Sequence, residues 1–195
     1  MSFKLIVITP EQNYPKEIKL ITSLFEQGLP LLHVRKPNAH ADELREYIQS
    51  IPKQFHKKVV IHSHYKLAKE FNLKGIHLTE KVRKSGFRDT RLKIISTSFH
   101  ATKDVLKSRR KYEYVFLSPV FDSISKQGYT SNFTSDELNV FLKKTKQRVI
   151  ALGGINDKNI KISKQVNFSG AAVLGYIWES KKPVECYKKL LSKIK

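Results

Sequence analysis

Eight short apolar runs recur along the chain with helical stretches between them, and no other feature limits the fold so strongly. They are Leu5 to Thr9, Leu31 to Arg35, Val59 to Ser63, Gly75 to Leu78, Leu92 to Thr97, Tyr114 to Ser118, Val149 to Gly153 and Ala171 to Gly175. Their near-continuous apolar character is that of strands covered on both faces, which predicts a parallel sheet clothed in helices. The connecting segments carry helix signals. Pro15 precedes Ile18, Ile21 and Phe25 on one face, and Gly28 stops that helix. Asp42 to Ile51 spaces Leu44, Tyr47, Ile48 and Ile51 helically, and Tyr65 to Asn72 does so with Leu67, Ala68 and Phe71. Thr134 and Glu137 read as a capping box before Leu138, Phe141 and Leu142. Asn156 is expected to cap a helix through Ile160, and Pro183 to open a last one with Val184, Tyr187, Leu191 and Ile194 on a stripe. Thr79 to Arg91, with Gly86 inside it, reads as a loop with at most a short helix.

Eight β/α units in 195 residues predict a compact single-domain (β/α)8 TIM barrel spanning the whole chain, without an inserted domain. The competing architecture is an open doubly wound sheet of fewer strands, which requires two or three of the runs not to be strands. A hydrophobic content of 40% supports a core of that size. The chain has no apolar run near the ~20 residues of a membrane helix. Its start, MSFKLIVITPEQ, lacks the charged, apolar and small-residue succession of a signal peptide, so the expected address is cytoplasmic. One cysteine, Cys186, allows no internal disulfide and is expected to be a small core hydrophobe. The formal charge of +20 raises the question of nucleic acid. Its lysines are scattered, however, and neither an RNA-binding aromatic motif nor a helix-turn-helix accompanies them. A solvated basic surface that attracts phosphorylated substrates is the better reading.

In a barrel of this type a ligand sits at the carboxyl ends of the strands, with a phosphate commonly after strands seven and eight. Those positions are Gly153 and Gly154, which let backbone approach an anion closely, and Leu174 and Gly175. The strand Tyr114 to Ser118 runs through Pro119 into a polar loop holding Asp122, Ser123, Ser125, Lys126 and Gly128. Five histidines, His33, His62, His64, His77 and His100, fall at or just after strand ends. His62-Ser63-His64 is an H-x-H pattern that metal-dependent barrels use, but with no strand-end Asp to complete the set it ranks below the phosphate reading. His77 is expected to be packed and hydrogen-bonded, and His40 and His56 to lie on the surface.

The segments SPVFDSISKQG at Ser118 to Gly128 and LGGI at Leu152 to Ile155, together with His33-Val34-Arg35-Lys36-Pro37, Gly75-Ile76-His77-Leu78 and Ser98-Phe99-His100, stand in the order of five motifs of one family. On them the chain resembles the thiamine phosphate synthase superfamily, which includes the TenI thiazole tautomerases. For the synthases, the resemblance implies a Mg²⁺-bound pyrimidine diphosphate that loses pyrophosphate to a carbocation captured by a thiazole nitrogen. This chain departs from that pattern: His62-Ser63 stands at the family's Asn-Asp, Val82 at a further aspartate and Pro37 at a lysine, with Glu80 close enough to substitute for one carboxylate. The departures, and His33-Val34-Arg35 in place of Q-L-R, point to the tautomerase branch, whose metal-free proton shift needs no cofactor. Mg²⁺ belongs only to the synthase alternative, and a non-catalytic regulatory barrel binding a phosphate ligand is a second alternative.

The resemblance implies roles as well: His100 shuttles the proton, and Arg35 and Lys126 are catalytic cations. Ser123 and Ser125 line the thiazole ring or its carboxylate. His33, His62 and Ser98 contact substrate, Gly153, Gly154, Leu174 and Gly175 hold the phosphate, and no residue is assigned to a metal. The expected partner is a small phosphorylated heterocycle, with a homodimer open, no specific nucleic acid and no membrane.

Overall fold

The computed structural model describes residues 3–121 and 133–194. Its strands are β1 (Lys4–Ile8), β2 (Leu31–Val34), β3 (Val59–Ile61), β4 (Gly75–Leu78), β5 (Ile94–Phe99), β6 (Tyr114–Leu117), β7 (Val149–Leu152) and β8 (Gly170–Val173). Each pairs in parallel with the next, and β8 closes on β1, so the sheet is a closed barrel. The helices between them are α1 (Glu17–Glu26), α2 (Ala41–Ser50), α3 (Lys66–Glu70), α4 (Glu80–Lys84), α5 (Thr102–Lys107), α6 (Ser135–Lys144), α7 (Ile160–Gln165), α8 (Gly175–Trp178) and α9 (Pro183–Ile194). The (β/α)8 expectation holds, and the doubly wound sheet is excluded by closure. None of the described helices is long and apolar enough to cross a membrane.

Strand alternation explains why the runs are apolar throughout. Outward residues such as Leu5, Val7, Leu32, Val34, Val115 and Leu117 bury themselves under the helices, where they meet Ile21, Leu24, Leu44, Ile48 and Tyr187. Inward residues Ile6, Ile8, Leu31, Val60, Ile95, Tyr114, Phe116, Ile150 and Ala172 form a second cluster inside the barrel. Each large apolar side chain so enclosed contributes about 1.5–3 kcal/mol relative to exposure.

Local chemistry sets several boundaries as expected. Thr134 Oγ1 accepts the Glu137 N–H at 3.2 Å while the Glu137 carboxylate accepts the Thr134 N–H at 2.8 Å, a complete capping box. Gly28 ends α1 at φ 89°, its N–H donating to the Phe25 carbonyl.

Three local expectations need correction. The helix after β7 begins at Ile160 rather than at Asn156, because Asn156 is locked in a turn: its N–H donates to Asn159 Oδ1 and its own Oδ1 accepts the Lys158 N–H. Two helices form where the sequence pattern predicts none: α5, with Val105 its buried residue, and α8. His56 is buried, not on the surface, with its ring nitrogens 3.2 and 2.9 Å from the Phe71 and Ile51 carbonyls. Cys186, by contrast, packs against the core as expected, partly buried, and its thiol donates to Ser180 Oγ.

Candidate functional site: the C-terminal mouth and its imidazole floor

Parallel register brings the chemistry-bearing side chains to one end of the barrel. His33 sits opposite Ile8 on one side and Val60 on the other. Since Leu31 and Val60 both point inward, so does His33, and with it His62 and Arg35 farther along their strands. A register shift between Ile76 and His77 places His77 beside Ser96, and Ser96 beside Tyr114.

The result is a polar floor in a place that barrels of this kind usually fill with branched aliphatics. His33 Nδ1 lies 2.8 Å from His62 Nε2, and His33 Nε2 lies 2.6 Å from the Tyr114 hydroxyl. His77 Nδ1 is 2.8 Å from Ser96 Oγ and its Nε2 is 3.2 Å from Ser98 Oγ. The His62 and His77 rings stack with centroids 4.1 Å apart, and Phe116 packs on both His33 and His77. A neutral imidazole donates through one nitrogen and accepts through the other, so His33 and His77 each satisfy both functions here.

Burial dominates their electrostatics. Desolvation, then the neighbouring His77, holds His33 well below the usual histidine range. Desolvation followed by His77, His33 and the Arg35 charge does the same to His62. His77 is pushed down to about 3, by burial first and Arg35 second. Burial also pushes the Tyr114 phenol up. All three imidazoles are therefore neutral near pH 7.

Above this floor, the Arg35 backbone N–H donates to Thr9 Oγ1 at 2.9 Å and its guanidinium pairs with Glu11. His100 is exposed past the end of β5, and its Nδ1–H donates to the Ser118 carbonyl at 2.8 Å. That bond places a proton on Nδ1 and leaves Nε2 as the nitrogen that can meet a ligand. Lys36, next to Arg35, turns away from the mouth. Its ammonium is buried against Glu17 at 2.9 Å, and Tyr47 donates to the other Glu17 oxygen at 2.5 Å.

On the opposite side of the mouth, Gly153 and Gly154 both adopt positive φ, 94° and 64°. A Cβ on Gly153 would stand 2.8 Å from Pro119 Cα, so glycine is required by close approach as well as by conformation. The Gly154 carbonyl accepts from Asn156 Nδ2 at 3.1 Å and Asn159 Nδ2 at 2.8 Å. Beyond β8, Leu174 leads into the short helix α8, which begins at Gly175 and is anchored by Trp178 Nε1 donating to the Ile8 carbonyl at 2.6 Å.

Of the expected site residues, His33, His62 and Ser98 are thus drawn into one hydrogen-bonded group, with Arg35 and His100 at its rim and Gly153, Gly154, Leu174 and Gly175 on the β7 and β8 ends. Ser123, Ser125 and Lys126 lie outside the described residues. His77, Ser96 and Tyr114 are additions to the group. The H-x-H pairing dissolves: His64 has φ 48° and donates from Nε2 to the Ala39 carbonyl at 2.8 Å, away from His62. Alternation on β2, β3 and β4 was the available signal for the real grouping, since it turns His33, His62 and His77 to the same side.

A family-wide sequence profile described as thiamine monophosphate synthase matches residues 5–177. A thiamine-phosphate synthase of Clostridium tetani is 30% identical over 173 residues, covering 82% of this chain and 79% of that protein. One of Prochlorococcus marinus is 28% identical over 205 residues, and the chain spans 57% of its length. Among solved structures, a thiamine phosphate pyrophosphorylase from Bacteroides thetaiotaomicron superposes with a TM-score of 0.83 at 34% identity, covering 98% of this chain and 97% of that one.

Proposed function

Because the chain belongs to the thiamine monophosphate synthase family, we propose that it binds a thiazole phosphate in the barrel mouth and joins it to a pyrimidine diphosphate, releasing pyrophosphate. The synthase names of the relatives favour this over the tautomerase expected from the sequence. In the reaction the bond from the pyrimidine's methylene carbon to diphosphate breaks with its electron pair on the leaving group, and the thiazole nitrogen supplies the pair for the new C–N bond. The chain's part is to hold the two reactants in line and to stabilise the departing charge.

The observation that carries the reading is the paired end of β7 and β8. Two consecutive positive-φ glycines face the mouth, and β8 is followed by a short extra helix before the long α9. This is the arrangement in which such barrels hold phosphate, so Gly153, Gly154, Leu174 and Gly175 take the thiazole phosphate. Arg35 supplies positive charge to the diphosphate, as Lys126 does in the resemblance.

The described residues do not fit the Mg²⁺ of the family. A hard cation wants carboxylate oxygens. Where the resemblance expects an aspartate the chain has Ser63, whose buried Oγ has no hydrogen-bond partner. Glu80, the substitute considered from sequence, is held by Lys84 at 2.8 Å and Arg83 at 3.9 Å, and Lys84 foremost keeps its carboxyl below the ordinary range. That misfit favours a second reading, the metal-free proton shift on a thiazole carboxylate phosphate, with the open Nε2 of His100 as base.

Incubation with both substrates separates the two. The synthase reading predicts equimolar thiamine phosphate and pyrophosphate. Absence of both products, together with solvent exchange on the thiazole carboxylate that disappears in His100→Ala, establishes the tautomerase instead. Tight binding with neither reaction leaves the regulatory barrel.

A further inference from the structure

His33, His62 and His77 stand on three consecutive strands or their ends, and each offers one ligand nitrogen within 4.8 Å of the others'. In two of them the remaining nitrogen is engaged in the way that orients metal-ligating histidines. Tyr114 OH holds His33 Nε2 and Ser96 Oγ holds His77 Nδ1. This leaves His33 Nδ1, His62 Nε2 and His77 Nε2 for a common guest. No carboxylate joins this group among the described residues.

We propose that the three imidazoles bind a divalent transition ion of the Zn²⁺ class, with a water or Ser98 Oγ as the fourth ligand. The donor chemistry selects the ion: imidazole suits Zn²⁺, Co²⁺ and Ni²⁺, whereas an all-nitrogen set is wrong for Mg²⁺. Ligand nitrogens about 2.0–2.1 Å from a tetrahedral ion stand about 3.4 Å from each other. The His33–His62 pair, at 2.8 Å, opens slightly, and His77 turns out of its stack with His62 to close the third side. Proton balance is simple. In the metal-free barrel one proton lies between His33 and His62. In the loaded barrel each imidazole keeps a single N–H: His33 donates to Tyr114, His77 donates to Ser96, and His62 carries its proton on Nδ1. The ion takes the three lone pairs, and no proton is released. The site does not depend on which thiazole reaction the mouth performs.

The test is titration of chelator-treated full-length protein with Co²⁺, read by visible absorption. The expected result is one Co²⁺ per chain with the intense spectrum of a tetrahedral ion, displaced by Zn²⁺. His33→Gln and His62→Asn install the amides that the family carries at these positions, so the fold has a way to accommodate them. Each should abolish the tetrahedral band and weaken binding by more than ~100-fold, beyond the ~10–100-fold expected for the outer-shell variant Tyr114→Phe. His40→Ala with His64→Ala, on the surface, should leave the titration unchanged. Absence of tetrahedral Co²⁺ in the wild-type protein overturns the proposal, as does a band that survives both ligand variants. Should a ligand variant fail to fold by circular dichroism, X-ray absorption of the Zn²⁺-loaded wild-type protein decides: three imidazole ligands support the site, and fewer overturn it.

Discussion

The neutral imidazole floor makes the metal-free protein acid-labile in a window set by histidine alone. In the unfolded chain each imidazole takes a proton near its ordinary pKa of about 6.5. In the fold, desolvation holds His33 and His62 well below that value and His77 down to about 3. A folded pKa below the unfolded one means that the unfolded state binds more protons once the pH falls under about 6.5, so the contribution is complete above that pH and is lost on acidification. For a group that stays neutral in the fold, the loss by pH 5 is about 2 kcal/mol. Three such groups give an upper bound of about 6 kcal/mol, comparable with the ~5–15 kcal/mol that holds a whole domain together. Depressed carboxylates such as Glu113 and Asp157 titrate at lower pH and leave this window clear. Urea unfolding with a chelator present, followed by circular dichroism from about pH 8 to about pH 5, measures the effect. The double variant His33→Gln, His62→Asn should retain about a third of the wild-type slope, that of His77. A wild-type stability that stays level across the window, or an equal slope in the double variant, refutes the reasoning.

Two substitutions probe the scaffold around the mouth. Gly153→Ala combines a left-handed backbone, at about 1–2 kcal/mol, with overpacking against Pro119, at about 1–3 kcal/mol, so urea denaturation should show a loss of about 2–5 kcal/mol. Lys36→Met leaves Glu17 buried without its cation and should cost about 3–5 kcal/mol by the same assay, while the double variant with Glu17→Gln should recover much of it.

The barrel was legible because inward and outward faces of every strand are both apolar, which leaves runs that no surface element shows. The ends of β7 and β8 were legible for the same reason, since strand order alone places Gly153, Gly154 and Gly175 there. Helices α5 and α8 were not, because α5 buries Val105 alone and so shows no apolar stripe, and α8 is a single turn of four residues. His56 was misplaced because a lysine-flanked segment reads as exposed, whereas its 3₁₀ turn tucks the ring under two carbonyls. The histidine group was hidden by a misleading neighbour. His62 and His64 are close in sequence yet diverge at a positive φ, while His33, His62 and His77 converge only after the strands close and β4 shifts register against β5. Departures from the family pattern at Ser63 and Val82 were visible in the residues. Their meaning depended on finding Glu80 already committed to Lys84.

The central claim is that a thiazole phosphate occupies the C-terminal mouth with its phosphate between the ends of β7 and β8. A crystal structure of the protein with the thiazole phosphate bound tests it most directly. The predicted result is a phosphate within hydrogen-bond distance of the Gly154 and Gly175 backbone N–H groups, with the ring turned toward His100. A phosphate found instead in the basic groove lined by Arg83, Arg88, Lys107 and Arg110 contradicts it.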